Sequence, residues 1–398
     1  MSFCLVTSMA LYVDYLGHLQ VHAGVLATVY SLAALAVRPL IGVLSDKYGR
    51  VKLLIIGAAF CGVTTVLFGF TGVLAVLIVI RSFNGAAFGI HSTCAGAAAA
   101  DVLPKEKISE GIGIFTLSST LAQAIGPWVA LSIVAGGTMS DYRLLFFILM
   151  GICAFSTAAN CCVTYERKRK QQTISDNTVA LESPETEEIA TPCTSDLPDS
   201  ETVLPKTFMG FEYAVFAPAA VLILVYIAIS GIVIFMAPFA ASNGIENSGL
   251  YFTVSAFGIF VSRIIFGRVA DKRGSDIVII PGLLLMALGM AILPFVSNLT
   301  GLILMAIPLG FAQGMAMPTF NSMLFTRCSP ARRGTANGAF FAAVDVGFAV
   351  GGPMLGALAD ARDFRFVFWA SAILMALALV LYIMISSDKR FLRKGASV

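Results

Sequence analysis

Two charged turns, 225 residues apart, govern how this chain can fold (263 − 38, 267 − 42, 271 − 46 and 274 − 49 give the same spacing). The first is Arg38-Pro39-Leu40-Ile41-Gly42-Val43-Leu44-Ser45-Asp46-Lys47-Tyr48-Gly49-Arg50-Val51-Lys52, set between two long apolar runs. Asp46, Lys47, Arg50 and Lys52 are too costly to leave in hydrocarbon, so the turn marks a water face. Gly42 leaves room for a neighbouring backbone, and Gly49 permits a tight reversal. The second turn reads Arg263-xxx-Gly267-xxx-Asp271-Lys272-Arg273-Gly274. A charged hairpin duplicated at a fixed distance, each time between apolar helices, signals two copies of one structural unit. In a membrane, that points to a carrier built from repeats around a central path.

The membrane itself follows from composition. Hydrophobic residues make up 58% of the 398 and charged residues 12%, about half the charge of a soluble domain. A spanning helix needs about 20 apolar residues. The apolar runs predict helices at 2–13, 22–43, 53–71, 74–99, 110–135, 144–164, 213–238, 248–267, 277–296, 299–324, 335–358 and 365–386. The fold class expected is an all-α membrane protein of twelve helices in two pseudo-symmetric halves, residues 1–164 and 212–398. The first run is too short to cross, so the first helix is expected to be truncated at its N-terminus, with its natural start upstream of Met1. Residues 165–211 open on Glu166-Arg167-Lys168-Arg169-Lys170 and then turn acidic and rich in Ser, Thr and Pro. Such a segment cannot bury enough apolar surface to fold alone and reads as a disordered linker.

Basic residues fall in alternate loops. Lys47, Arg50, Lys52, Lys105, Lys107, Arg167 to Lys170, Lys206, Arg268, Lys272, Arg273, Arg327, Arg332, Arg333 and the final Lys389 to Lys394 lie on one side. The other side holds Arg143, Arg362 and Arg365. The positive-inside rule places both termini, the linker and a short tail in the cytoplasm of a multi-pass cell-membrane protein. Asn298-Leu299-Thr300 is a glycosylation sequon on the outer side. The eight cysteines and three histidines show no metal or disulfide spacing. Soluble-enzyme motifs are missing, so neither enzymatic activity nor a cofactor or metal is expected. Nucleic acid is excluded as a partner because the basic residues line a membrane face.

Gly-xxx-Asp-Lys-x-Gly-Arg-x-Lys after Arg-Pro resembles the signature loop between the second and third helices of the major facilitator superfamily. The resemblance covers nearly the whole chain, and the second copy lacks the basic residue after Gly274. It implies a twelve-helix bundle that moves a small molecule by alternating access, with the lipid bilayer, the solute and coupling protons as its partners and a single copy as the working unit. It gives the signature residues Arg38, Gly42, Asp46, Lys47, Gly49, Arg50, Gly267, Asp271, Lys272 and Gly274 a gating role. Asp46 would face the start of the eleventh helix near Arg333-Gly334-Thr335, and Asp271 the fifth near Ser109-Glu110. Arg81-xxx-Gly85-xxx-Gly89 resembles the family's fourth-helix motif, whose arginine is associated with proton coupling. Gly126-Pro127 resembles the Gly-Pro motif of drug/proton antiporters. Arg332 to Gly356, with Asn337-Gly338, Asp345-x-Gly347 and Gly352-Pro353, looks like bacterial exporters of the sugar-efflux and multidrug type. Proton-coupled efflux is the function this implies; an importer of the same fold, or a non-transporting membrane sensor or scaffold, are the alternatives.

Polar groups inside the spans are where function would lie, because hydrocarbon makes them expensive. Asp345 is the one acidic residue near the middle of an expected span. It shares a helix face with Gly338, Ala342, Ala349, Gly352 and Gly356. It could carry a coupling proton or hold two helices together. Arg81 could serve the same chemistry or snorkel to the outer surface. Arg38 and Arg263, at equivalent depths, read as snorkelling and pairing near the inner surface, with substrate binding as the alternative. Gly126-Pro127 maps onto Gly352-Pro353 at a spacing of 226 (352 − 126), and Pro127 and Pro353 each remove a helix hydrogen bond and permit a kink. Asn84, His91, Gln123, Tyr226, Phe235, Gln313 and Asn321 are the remaining candidates for a substrate cavity.

Overall fold

In the computed structural model the described residues are 1–102, 108–163, 207–208, 211–326 and 333–387, and their side chains are described except at 43, 46, 100, 108–117, 207, 208, 211–215, 267, 268, 270–273, 325, 326 and 333–337. Twelve α-helices form among them: α1 (Ser2–Tyr15), α2 (Gln20–Tyr48), α3 (Arg50–Leu67), α4 (Leu74–Val102), α5 (Ile108–Ile133), α6 (Met139–Cys161), α7 (Tyr213–Ser242), α8 (Gly249–Arg273), α9 (Asp276–Ile292), α10 (Leu299–Thr326), α11 (Arg333–Ala361) and α12 (Phe364–Ser387). Eleven of these are long and apolar enough to cross a membrane; α1, with 14 residues, is not among them. A two-residue antiparallel ladder joins Thr207–Phe208 to Phe211–Glu212. The rest of the expected linker and the tail after Ser387 lie outside the described residues.

Element number and order match the apolar runs, whereas several ends do not. The helices α2, α8 and α11 run on to Tyr48, Arg273 and Ala361. Hydropathy falls where the chain meets water, but backbone hydrogen bonding continues there. Gly49 at φ 96° and Gly274 at φ 93° close the two charged turns, a conformation in which a Cβ would clash. The start of α6 comes at Met139, earlier than hydropathy indicates, because Thr138 and Asp141 form a capping box.

Glycines let the helices cross at backbone contact, and the crossings repeat at the spacing of the turns. In the first half, a Cβ on Gly85 of α4 would strike the Tyr30 backbone of α2, and one on Gly89 would lie 2.9 Å from the Ala34 carbonyl. In the second half, Gly310 of α10 meets Ser255 of α8, and a Cβ on Gly314 would lie 2.6 Å from the Ile259 Cα. Each residue is the 225-later copy of its partner. Close approach at small residues is the main attraction between helices whose surroundings are as apolar as themselves.

The halves meet along two seams related by the same repeat. On α2 and α11, Thr28 donates 2.6 Å to the Ala349 carbonyl; on α8 and α5, Thr253 donates 2.8 Å to the Ala124 carbonyl. Gly24 packs on Gly352 and Pro353, and Gly249 packs on Trp128. The spacing in α5 and α11 is therefore also 225, so Gly126 corresponds to Gly351 and not to Gly352, the residue its sequence motif pairs with it. Both seams lie on the face opposite the charged turns. Toward the charged turns, a Cβ on Gly42 of α2 or Gly338 of α11 would meet nothing within 4 Å. Gly310→Ala is expected to lower stability in detergent micelles by about 1–3 kcal/mol through overpacking. Gly96→Ala, where nothing lies within 4 Å, is expected to be neutral or to stabilise by up to about 1 kcal/mol; thermal unfolding of the two variants checks the contrast.

Candidate functional site

An ion pair joins the halves in the bundle interior. Arg38 Nε of α2 donates 2.9 Å to Asp345 Oδ2 of α11, with side chains 14% and 9% exposed. The guanidinium also reaches Ser92 Oγ of α4 at 3.4 Å and lies over the Phe341 ring at 4.9 Å. Asp345 is the one buried acidic side chain among the described residues. The pairing of Arg38 is thus with another helix deep in the bundle, and the shared role expected of Arg38 and Arg263 is not seen: Arg263 of α8 forms no ion pair among the described residues, its Nε is buried with no hydrogen-bond partner, and the group within electrostatic reach is the neutral Tyr226.

Arg81 turns inward. It is 2% exposed, lies 4.2 Å from the Tyr30 ring centroid and donates to Asn84 Oδ1 at 3.1 Å, while its Nε has no partner. Asn84 is held in turn by Thr64 Oγ1 at 2.9 Å and Thr65 Oγ1 at 3.3 Å on α3. Asn84 therefore orients Arg81. Beside the arginine is a cavity of about 10 Å³ that α1, α2 and α7 help to enclose through Met9, Ala27 and Ile234.

Gln123 of α5 and Gln313 of α10 face one cavity of about 20 Å³, with Tyr251 and Ser255 of α8 and Ile229 and Val233 of α7, a space that holds one water. Two residues 190 apart in sequence thus meet (313 − 123). Tyr226 packs against Phe340 and Phe348 of α11. Phe235 is fully buried in the main core and lines neither cavity. Asn321 is half-buried with its Oδ1 unpartnered, and the His91 backbone packs on Gly57 of α3. Gly126 of α5 lies against Cys4 of α1, beside Pro127. In the signature turns, Arg50 pairs with Asp101 at 2.6 Å and donates to the Ala97 carbonyl at 3.0 Å, tying α3 to the end of α4. Lys47 lies 5.5 Å from the ring centroid of Tyr48. The side chains of Asp46, Asp271 and Lys272 lie outside the described residues, as do those at the starts of α5 and α11.

The structure adds a residue that sequence reasoning passed over. Asp360, in the last turn of α11, accepts from the Gln20 and Val21 backbone N–H groups at 2.8 and 2.7 Å, and so caps α2 across the boundary between halves. A carboxylate at a helix N-terminus meets free donors and the positive end of the macrodipole. The only signal in the sequence was an acidic residue just past an apolar run. The repeat places Ala135 at the equivalent position of the other seam (360 − 225), so this latch has no twofold mate.

Two six-helix halves around a polar interior define a membrane carrier. The family model described as Major Facilitator Superfamily matches residues 1–241 and 218–396, and the chain belongs to that family. It is 26% identical over 388 residues to the staphylopine export protein of Staphylococcus aureus, covering 95% of this chain and 89% of that one. It is 26% identical over 376 residues to the multidrug resistance protein MdtG of Proteus mirabilis, covering 91% and 86%. In fold it is similar to a bacterial homologue of the human lysosomal transporter Spinster in an inward-facing and occupied conformation, with TM-score 0.74, 13% identity and coverage of 98% and 94%. A point mutant of the nucleoside transporter NupG aligns with TM-score 0.71 at 13% identity, covering 96% and 95%. This is a multi-pass membrane transporter with efflux-type relatives, and not an enzyme.

Removing one member of a buried pair costs about 3–5 kcal/mol because the other charge is left behind. Arg38→Gln is therefore expected to destabilise the detergent-purified protein more than the double variant Arg38→Gln/Asp345→Asn, measured by unfolding midpoints. Loss of a helix cap costs about 1 kcal/mol. Asp360→Ala is expected to raise thiol-reagent labelling of a cysteine placed at Ala27 (9% exposed) about fivefold.

Proposed function

We propose that the chain exports a small organic molecule in exchange for protons, with Asp345 carrying the proton and Arg38 reading its charge. The observation that carries this reading is the buried Arg38–Asp345 pair between the halves. While Asp345 is ionised, the pair holds α2 to α11 in the bundle interior. A proton reaching Asp345 removes the charge that holds Arg38, and that joint loosens. Proton occupancy thereby biases how the halves sit, which is the differential interaction that any driven change of state requires. Arg81, fixed by Asn84 and Tyr30, adds a permanent positive charge to the path.

The charged turns and both termini are taken as cytoplasmic, from the distribution of Lys and Arg. The seams then close the outer side, with Asp360 as outer latch. Asp46 and Asp271 are proposed as the inner latches, at the starts of α11 and α5, where an anion meets free N–H groups. Gly-Pro elements in α5 and α11 supply bending points, and Gln123 with Gln313 offers hydrogen bonds to cargo. The export direction is supported by the names of the relatives, one an export protein and one a multidrug resistance protein.

The test begins with a resistance and uptake screen over a compound panel, in cells with and without the gene. For the compound it yields, Asp345→Asn in reconstituted vesicles is expected to abolish accumulation driven by an imposed pH gradient while leaving exchange down the compound's own gradient. Undiminished gradient-driven flux removes Asp345 from the mechanism.

A further inference from the structure

The ion pair between the halves is half of a symmetric device. The repeat relates Arg38 to Arg263 and Asp345 to Thr120, both at 225 residues (263 − 38, 345 − 120). The same spacing relates the flanking contacts, Thr28 to Ala349 and Thr253 to Ala124, so the register at this depth comes from packing. One copy keeps a cation and an anion. The other keeps the cation, and the anion's position holds an uncharged threonine.

Arg263 is the consequence. It stands on α8 near Tyr226 of α7, which packs on the α11 phenylalanines. Its Nε is buried with no hydrogen-bond partner, and no carboxylate among the described residues pairs with it. Arg38, by contrast, has a carboxylate, a hydroxyl and an aromatic face. A guanidinium cannot escape by losing its proton, and an unpaired charge at this depth is expensive and marks a ligand path. About two turns or more from either end of a helix, the charged residues with described side chains are Arg38, Arg81, Arg263 and Asp345, three cations against one anion.

We propose that Arg263 is an anion-binding residue of the central site and takes a carboxylate, or a compact anion of like geometry, carried by the cargo. The planar fork of donors suits a two-oxygen anion, and the cargo anion supplies in trans what Asp345 supplies in cis on the other side. Calling the ligand cargo rests on the transport reading above. Binding requires neither a proton gradient nor a direction, so it is tested apart from them.

The experiment measures unfolding midpoints of the full chain in detergent micelles with sodium benzoate, sodium citrate or sodium methylphosphonate, against benzamide and sodium chloride at matched ionic strength. A further arm adds phosphatidylglycerol. At least one soluble anion is expected to raise the midpoint of the parent by about 3 °C or more, the scale of a ligand well above its Kd. Arg263→Gln is expected to lose that rise, and Arg263→Lys to keep part of it. Thr120→Asp restores the missing carboxylate; it is expected to raise the unliganded midpoint and remove the anion response, which keeps the proposal testable should Arg263→Gln fail to fold. An equal rise in the parent and in Arg263→Gln, no rise in the parent with any soluble anion, or stabilisation by the lipid alone overturns the assignment.

Discussion

Charge that cannot be shed inside an apolar bundle is the constraint on which the rest of this structure turns. Three arginines lie about two turns or more from either end of their helices, and each is managed differently. Arg38 is neutralised by Asp345. Arg81 is held by the Tyr30 ring and Asn84, neutral groups that satisfy part of its fork. Arg263 has neither arrangement among the described residues. Because the cost of a buried charge depends on what faces it, each arginine makes the energy of the bundle sensitive to what the opposing helix presents to it. That sensitivity is what a carrier needs and what a passive scaffold would avoid.

The repeat sets the frame, and its imperfections make the two seams unequal. Crossings at Gly85, Gly89, Gly310 and Gly314 bring helices of each half to backbone contact, so that each packs as a block. The seams, built from matching threonine-to-carbonyl bonds, let the blocks meet alike on both sides. On that symmetric frame Asp345 and Asp360 occur in one copy only. Placing the carboxylates on α11 alone puts both the ion pair to Arg38 and the capping of α2 in one seam.

Much of this was legible from residue order. Twelve apolar runs, two charged turns with glycines at left-handed positions and the repeat between them led to the architecture, since hydrocarbon leaves a chain few alternatives to helices. Asp345 stood out for the same reason. Helix ends were less legible, because hydropathy reports the bilayer and not the hydrogen-bonded helix; Thr138 and Asp141 show that a cap can start a helix before its apolar run. Gly126-Pro127 and Gly352-Pro353 appeared equivalent at a spacing of one residue more than packing supports, since a motif match does not sense which helix face is in contact.

Alone, the sequence determined the solvent, the number of helices, the duplicated module and the short set of polar groups worth watching, because each follows from local chemistry and the transfer cost of charge. Tertiary structure decided which of those groups meet. Arg38 and Asp345 are 307 residues apart in the chain and 2.9 Å apart in space, and Gln20 and Asp360 are 340 residues apart and joined at 2.8 Å. No local signal distinguishes the paired arginine from Arg263, which stands in the same motif at the same depth, because pairing is settled by the residue that a distant helix brings to face it.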